Sequence, residues 1–189
     1  MTRIVGGSRG GRRIVTPTGR DTRPTSDRVR EALFASLQSD VDIAGCHFAD
    51  LYAGSGAVGL EAASRDAADV WLVESDVRAA RSARENIDAL QLGAVCRLTV
   101  GRVARVLAGA ADRAYDVVFA DPPYALGEPE INTVLTTLVA GGWLAGHAVV
   151  VFERASRSPE PAWPPGLQAD RVRRYGDSML WYARAAPGP

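Results

Sequence analysis

The sequence predicts an α/β fold built on one mostly parallel, doubly wound sheet with an antiparallel strand near its C-terminal edge. Three observations predict it. From Cys46 onward, short apolar runs alternate with stretches of helical period. A glycine-rich turn, GSGAVG, falls where the first of these strands meets its helix. Near the C-terminus two β-rich runs adjoin at Gly176-Asp177 with no helix between them, the mark of a closing hairpin.

The elements follow in order. Residues 2–6 and 11–16 are β-type runs around GGSRGG, which reads as a hairpin with a flexible tip. In RPTSDRVREALFASL the period changes: Val29, Leu33 and Leu37, with Ala32, share one helical face, and Ser26 or Asp27 is the expected N-cap. Strands are expected at 47–53, 69–75, 94–100, 115–121 and 147–154. Helices are expected over GAVGLEAASR, 77–90, VARVLAGA and 130–140. The proline-rich run SRSPEPAWPPG cannot be a regular helix, so a loop replaces the next crossover. The predicted organisation is a basic arm, residues 1–24, followed by a catalytic domain, residues 25–189, which opens with a linking helix over 25–38.

Composition bounds the function. With 189 residues, 47% hydrophobic and 23% charged, the chain is an ordinary globular one. It has neither a membrane-span run nor the apolar core of a signal peptide, so a cytoplasmic location is expected, and with nothing in the sequence to suggest a dimer seam a monomer is expected. Cys46 and Cys96 are isolated from each other and from any CxxC pattern, so two buried thiols and no metal site are expected. His47 and His147 stand alone at the edges of apolar runs and read as strand-end residues. Net charge is zero, yet residues 1–30 hold eight arginines against Asp21 and Asp27. A basic arm on an acidic body suggests a polyanionic partner.

Two motifs carry chemistry. In DLYAGSGAVG, Gly54, Gly56 and Gly59 complete GxGxxG, and Glu74 ends the next strand, placed to accept the hydroxyls of a ribose. An adenosine-type cofactor follows, and a nicotinamide dinucleotide fits the glycines equally well. Asp50 shifts the balance: a fixed carboxylate beside the loop repels a pyrophosphate and attracts an ammonium, and S-adenosylmethionine has an ammonium and no phosphate. The second motif, VFADPPY, ends the fourth strand of the alternating region. That strand and the first flank the switch in strand order, so Asp121 is expected to face the same crevice as the glycine loop.

Asp121-Pro122-Pro123-Tyr124 resembles the (N/D)PP(Y/F) motif of S-adenosylmethionine-dependent amino-methyltransferases. An aryl amine is a poor nucleophile because its lone pair is delocalised. Acceptors on Asp121 and the Pro122 carbonyl would hydrogen-bond its N–H groups and aim the lone pair, while Tyr124 offers a stacking face to an extruded base. The resemblance covers nearly the whole chain. RIVGGSRGGRRI, RPTSDRVREALF, DLYAGSGAVGLEAASR and VFADPPY, in that order, resemble the bacterial 16S ribosomal RNA guanine-N2 methyltransferase family, whose enzyme modifies guanine 966.

The resemblance implies a Rossmann-like class I methyltransferase sheet. It implies a cofactor site of Asp50, Ala53, Gly54, Ser55, Gly56, Glu74, Ser75, Gly101, Arg102 and Val103. Gly101-Arg102-Val103 departs from the acidic residue that many relatives carry after the third strand. Catalysis is expected of Asp121, Pro122, Pro123 and Tyr124, and RNA binding of Arg3, Arg9, Arg12, Arg13, Arg20, Arg23, Arg28 and Arg30. The implied partner is 16S rRNA, free or within a small subunit or its assembly intermediate. A DNA adenine-N6 or protein glutamine-N5 methyltransferase shares the DPPY chemistry. A nicotinamide oxidoreductase leaves the arm and DPPY unexplained, and a non-catalytic RNA-binding module leaves Asp50 and Glu74 idle.

Overall fold

The computed structural model describes residues 2–17 and 26–187. A small antiparallel hairpin comes first, β1 (Thr2–Arg3) and β2 (Arg13–Ile14), with a 3₁₀ turn at Gly7–Arg9 between them. Then follow α1 (Asp27–Leu37), β3 (His47–Leu51), α2 (Ala57–Ser64), β4 (Asp69–Glu74), α3 (Val77–Ala89) and β5 (Cys96–Val100). The chain continues through α4 (Val103–Leu107), β6 (Tyr115–Ala120), α5 (Glu128–Ala140) and β7 (Leu144–Ala155), and ends with β8 (Leu167–Tyr175) and β9 (Ser178–Ala185).

The seven-stranded sheet has the order β5-β4-β3-β6-β7-β9-β8. The neighbours from β5 to β7 are parallel, and β9 runs antiparallel to both β7 and β8. This is the expected doubly wound sheet, with its antiparallel strand inserted one place in from the edge. Each face has its own core. Side chains of α1, α2 and α3 pack on one, around Phe48, Leu72 and Val117. Side chains of α4 and α5 pack on the other, where Trp71, Tyr115 and Trp143 stack with ring centroids 4.9–6.4 Å apart.

Local chemistry sets the element ends. Ser26 caps α1 by accepting the Val29 N–H, and Asp76 caps α3 by accepting from Arg78 and Ala79. The helical face predicted for α1 is the buried one, with Phe34 added to Val29, Leu33 and Leu37. β3 ends at Leu51, earlier than expected, because Tyr52 takes a left-handed φ of 63°. β7 begins at Leu144 rather than 147, since an irregularity in its pairing with β6, beside His147 at φ 64°, carries it past the broken alternation. Cys46 and Cys96 are buried free thiols, and burial pushes both up to about 12, so neither is reactive.

The hairpin corrects one expectation. Its tip is packed, not flexible. Glu61, fully buried on α2, accepts the Val5 and Gly6 N–H groups at 2.7 Å each. Ser64 accepts the Arg9 N–H and donates to the Gly6 carbonyl. A Cβ on Gly7 would lie 1.8 Å from the Ser64 carbonyl oxygen, so this glycine permits close docking. Ile4 and Ile14 join the core of the α2 face.

Candidate active site

Alternate residues of a strand share a face, so the register of the sheet decides what meets at its carboxyl edge. Phe48, Leu72, Val117 and Val149 all point into the α2–α3 core. Counting onward by twos gives Asp50 on β3, Glu74 on β4, Asp121 just past β6 and Glu153 on β7. Four neighbouring strands therefore each bring one carboxylate to the same face at the same edge.

A cleft of about 470 Å³ opens there. Of the residues expected at the site, Asp50, Ala53, Gly54, Ser55, Glu74, Ser75, Arg102, Val103 and Asp121 to Tyr124 all line it. Gly56 and Gly101 do not. Gly56 caps α2 with φ 82° and faces Leu72 and Leu60. Gly101 donates its N–H to the Glu74 carbonyl and holds β5 against β4. A Cβ on Gly59 would lie 2.3 Å from Leu72, so the third glycine of the motif serves close helix–strand packing.

Glu74 organises the loop. One oxygen accepts the Gly54 N–H at 2.7 Å and the other the Asp76 N–H at 2.8 Å. A carboxylate has about four acceptor positions, so both oxygens keep capacity for a bound hydroxyl. Asp50, almost fully buried, accepts the Gly59 N–H at 2.8 Å. Burial, with the Glu74 charge adding to it, pushes Asp50 up to about 7. Asp121 is raised well above the ordinary carboxylate range by burial, then by the neighbouring charges of Glu153 and Asp50. The site is thus built to receive positive charge.

The DPPY segment leaves β6 at the edge. Pro122 is buried, Tyr124 is 73% exposed, and the Leu126 N–H donates to the Pro123 carbonyl to close the turn. An anchored proline next to an open ring gives a fixed carbonyl and an accessible stacking face.

Several residues of the site escaped the sequence reading. Glu153, which acts on Asp121 without lining the cleft, repeats the Glu74 pattern of an acid near the end of a buried strand and was findable on that signal. Thr16 and Pro17, beyond β2, line the cleft beside Tyr52, Asp76, Arg78, Phe119, Leu126 and Glu130. Nothing local in the sequence places the arm's end there.

The arginines divide. Arg20 and Arg23 lie outside the described residues. Arg30 is a correction: it is fully buried, donates to Asp27 at 2.8 Å and to the Arg3 carbonyl, and cannot meet a polyanion. Arg9 and Arg12 donate to the Leu90 and Ala89 carbonyls at the C-terminal end of α3, where a cation is favoured. Arg3 pairs with Asp27 at the surface. Arg13 and Arg28 are exposed.

Comparison with known proteins fits this geometry. Residues 2–184 match the family model described as Conserved hypothetical protein 95. The Ribosomal RNA small subunit methyltransferase D of Escherichia coli strain K12 is 34% identical over 187 residues, 98% of this chain and 91% of that protein. The solved structure of the E. coli protein yhhF superposes with a TM-score of 0.86 at 32% identity, covering 99% of each chain. A hypothetical protein from Thermus thermophilus gives 0.79 at 30% identity, over 96% of this chain and 98% of that one. Matched by the family model over residues 2–184 and by the Escherichia coli protein over 98% of its length, the chain belongs to the Conserved hypothetical protein 95 family, in company with the ribosomal RNA small subunit methyltransferase D proteins.

Proposed function

We propose that this protein transfers a methyl group from S-adenosylmethionine to the exocyclic N2 amine of guanine 966 in 16S ribosomal RNA. The observation that carries the reading is the single cleft shared by the glycine loop, Glu74, Asp50 and the DPPY segment. S-adenosylmethionine, when bound, would supply an electrophilic methyl on its sulfonium; the C–S bond breaks as the amine nitrogen takes the methyl, neutral S-adenosylhomocysteine would leave without needing a proton, and the surplus amine proton would pass to Asp121 or to water.

The residues present fit it. Asp50 would hold the ammonium, and Glu74 has acceptor capacity for ribose hydroxyls. Arg102 and Val103 line the side where the adenine would rest. A pyrophosphate would meet the same carboxylates as repulsion, which argues against a nicotinamide dinucleotide.

Asp121 and the Pro122 carbonyl would accept the two N–H groups of the amine and fix its lone pair. Positioning and electrostatics carry the rate, with no strong general acid required. Tyr124 would stack under the extruded base. An rRNA base is favoured over DNA or a protein glutamine by the end-to-end match to a small-subunit rRNA methyltransferase, and the choice of guanine rests on the resemblance carried by RPTSDRVREALF.

The test is transfer of a tritiated methyl to undermethylated small subunits, naked rRNA, DNA and protein, with the product nucleoside identified by mass. Label in N2-methylguanosine at position 966 is the expected result. Label confined to N6-methyladenosine or to protein sinks the assignment.

A further inference from the structure

We propose that Asn86 is a positioning residue that couples the N-terminal hairpin to the cofactor loop, so that RNA held on the hairpin tightens the cofactor site. The proposal rests on the methyl-transfer reading and adds a regulation of that same cleft.

Asn86 lies on α3, away from both sequence motifs, and is 1% exposed. Its side-chain amide behaves as a peptide unit would in a sheet. The carbonyl oxygen accepts the Val15 N–H at 2.7 Å, and the amide nitrogen donates back to the Val15 carbonyl at 2.8 Å. The same nitrogen donates to the Ser55 carbonyl at 3.0 Å. One buried group thus joins the residue after β2 to the middle of the glycine loop. An asparagine amide has two N–H donors, and both have an acceptor here.

The two ends of this bridge lie at the cleft. Thr16 and Pro17, directly after Val15, form part of its wall, and so does Ser55. Gly54, beside Ser55, is held from the other side by Glu74. Lifting the hairpin would strand the buried amide of Asn86 and remove a wall of the cleft. A ligand that favours the docked hairpin must therefore favour the ordered loop, and the effect is reciprocal.

The hairpin also grips the end of α2, through Glu61 and Ser64, and α2 begins at the glycine loop. Hairpin position and loop geometry are thus joined through two helices. Asn86 is the contact that reaches the loop itself.

The test measures the Kd of S-adenosylhomocysteine by calorimetry, with and without a small-subunit rRNA hairpin carrying the target guanine. In the wild type, RNA should lower that Kd about fivefold or more, the usual scale of such coupling. In Asn86→Ala the ratio should fall to near one. A residue that merely stabilises the fold would lower Tm and leave the ratio intact, so an unchanged ratio in the variant overturns the proposal.

Should Asn86→Ala fail to fold, amide exchange in the wild type decides. S-adenosylhomocysteine should slow exchange at Val15 as well as at residues 54–59. Protection of the loop alone overturns the coupling. A wild type that binds no S-adenosylhomocysteine defeats the methyl-transfer reading first, and the coupling with it. Methylation with no coupling defeats only the coupling.

Discussion

The sheet edge and the seam where the arm docks handle buried charge in opposite ways. Along the sheet edge, Asp50 is driven up to about 7, and the charges acting on Asp121 are Glu153 and Asp50, both negative. Beneath the docked arm, on α1 and α2, buried charge is matched. Glu61 receives two backbone N–H groups and Arg65 at 2.9 Å, and Arg30 is held by Asp27 and a carbonyl. A buried charge left short of opposite charge marks where a cationic ligand belongs, and a matched one marks structure. The formal charge of the residue does not distinguish them, but its partners do.

The largest expected effect breaks the edge. Asp121→Ala removes the acceptor for the amine and should lower methyl transfer by about 10²–10³-fold, the scale of losing one preorganised electrostatic contact. Cofactor affinity should stay within a few-fold, since Asp50 and Glu74 are untouched. Single-turnover methyl transfer alongside calorimetry separates the two. Wild-type-like turnover would leave DPPY as a turn and nothing more.

The arm is broken through its buried acid. Glu61→Ala strands the Val5 and Gly6 amides and leaves Arg65 without its carboxylate. Removing one member of a buried pair costs about 3–5 kcal/mol. Urea unfolding should show a loss of that order, and limited proteolysis should reach the hairpin first. A loss under about 1 kcal/mol would mean that the arm docks chiefly through Ile4 and Ile14.

These two regions were also unequally legible. The sheet edge could be read because its signals are local: a glycine loop after a strand, an acid ending the next strand, and DPPY ending the fourth. Strand alternation then brings Asp50, Glu74 and Asp121 together without further information. The arm could not be read this way. Its glycines look like a mobile tip, yet Gly7 is set by contact with Ser64, 57 positions further along the chain. Arg30 looks like its exposed neighbour Arg28 and differs only in facing inward on α1. Asn86 sits in an amphipathic helix as one polar residue among many, and only Val15 and Ser55 in space reveal its role. Contacts across distant segments carry no signature in a single sequence.

A third change sharpens the contrast at Asp50. Its native value is about 7 against 3.8 in an open chain, so the folded state keeps a proton that the unfolded chain has lost between those values. Stability therefore falls as pH rises from about 4 to 7, and the full penalty persists above 7. Asp50→Asn keeps an acceptor for the Gly59 N–H and removes the charge. It should raise Tm at pH 8 by several degrees, from about 1–3 kcal/mol, and change it little at pH 4. Cofactor affinity in the wild type should rise as pH approaches about 7 and the carboxylate forms, and fall again above about 8 as the ammonium it meets loses its proton. The variant should bind weakly at every pH. A Tm gain equal at both pH values would assign the effect to packing.

The smallest effects lie on the exposed arginines. Removing one phosphate-binding cation should reduce the slope of log K against log salt by about 0.7–0.9. Arg13→Ala and Arg28→Ala should each do so with Tm unchanged, because both side chains are exposed. Arg30→Ala should do the reverse, lowering Tm while the slope for RNA binding holds, because its guanidinium is fully buried beside Asp27. Arg9→Ala and Arg12→Ala should do some of each, since their donors reach the last carbonyls of α3. RNA binding titrated at three salt concentrations resolves the three groups. If Arg30→Ala reduced the slope as much as Arg13→Ala, matched and exposed charge could no longer be told apart by partners, and the rule drawn from the two regions would fail.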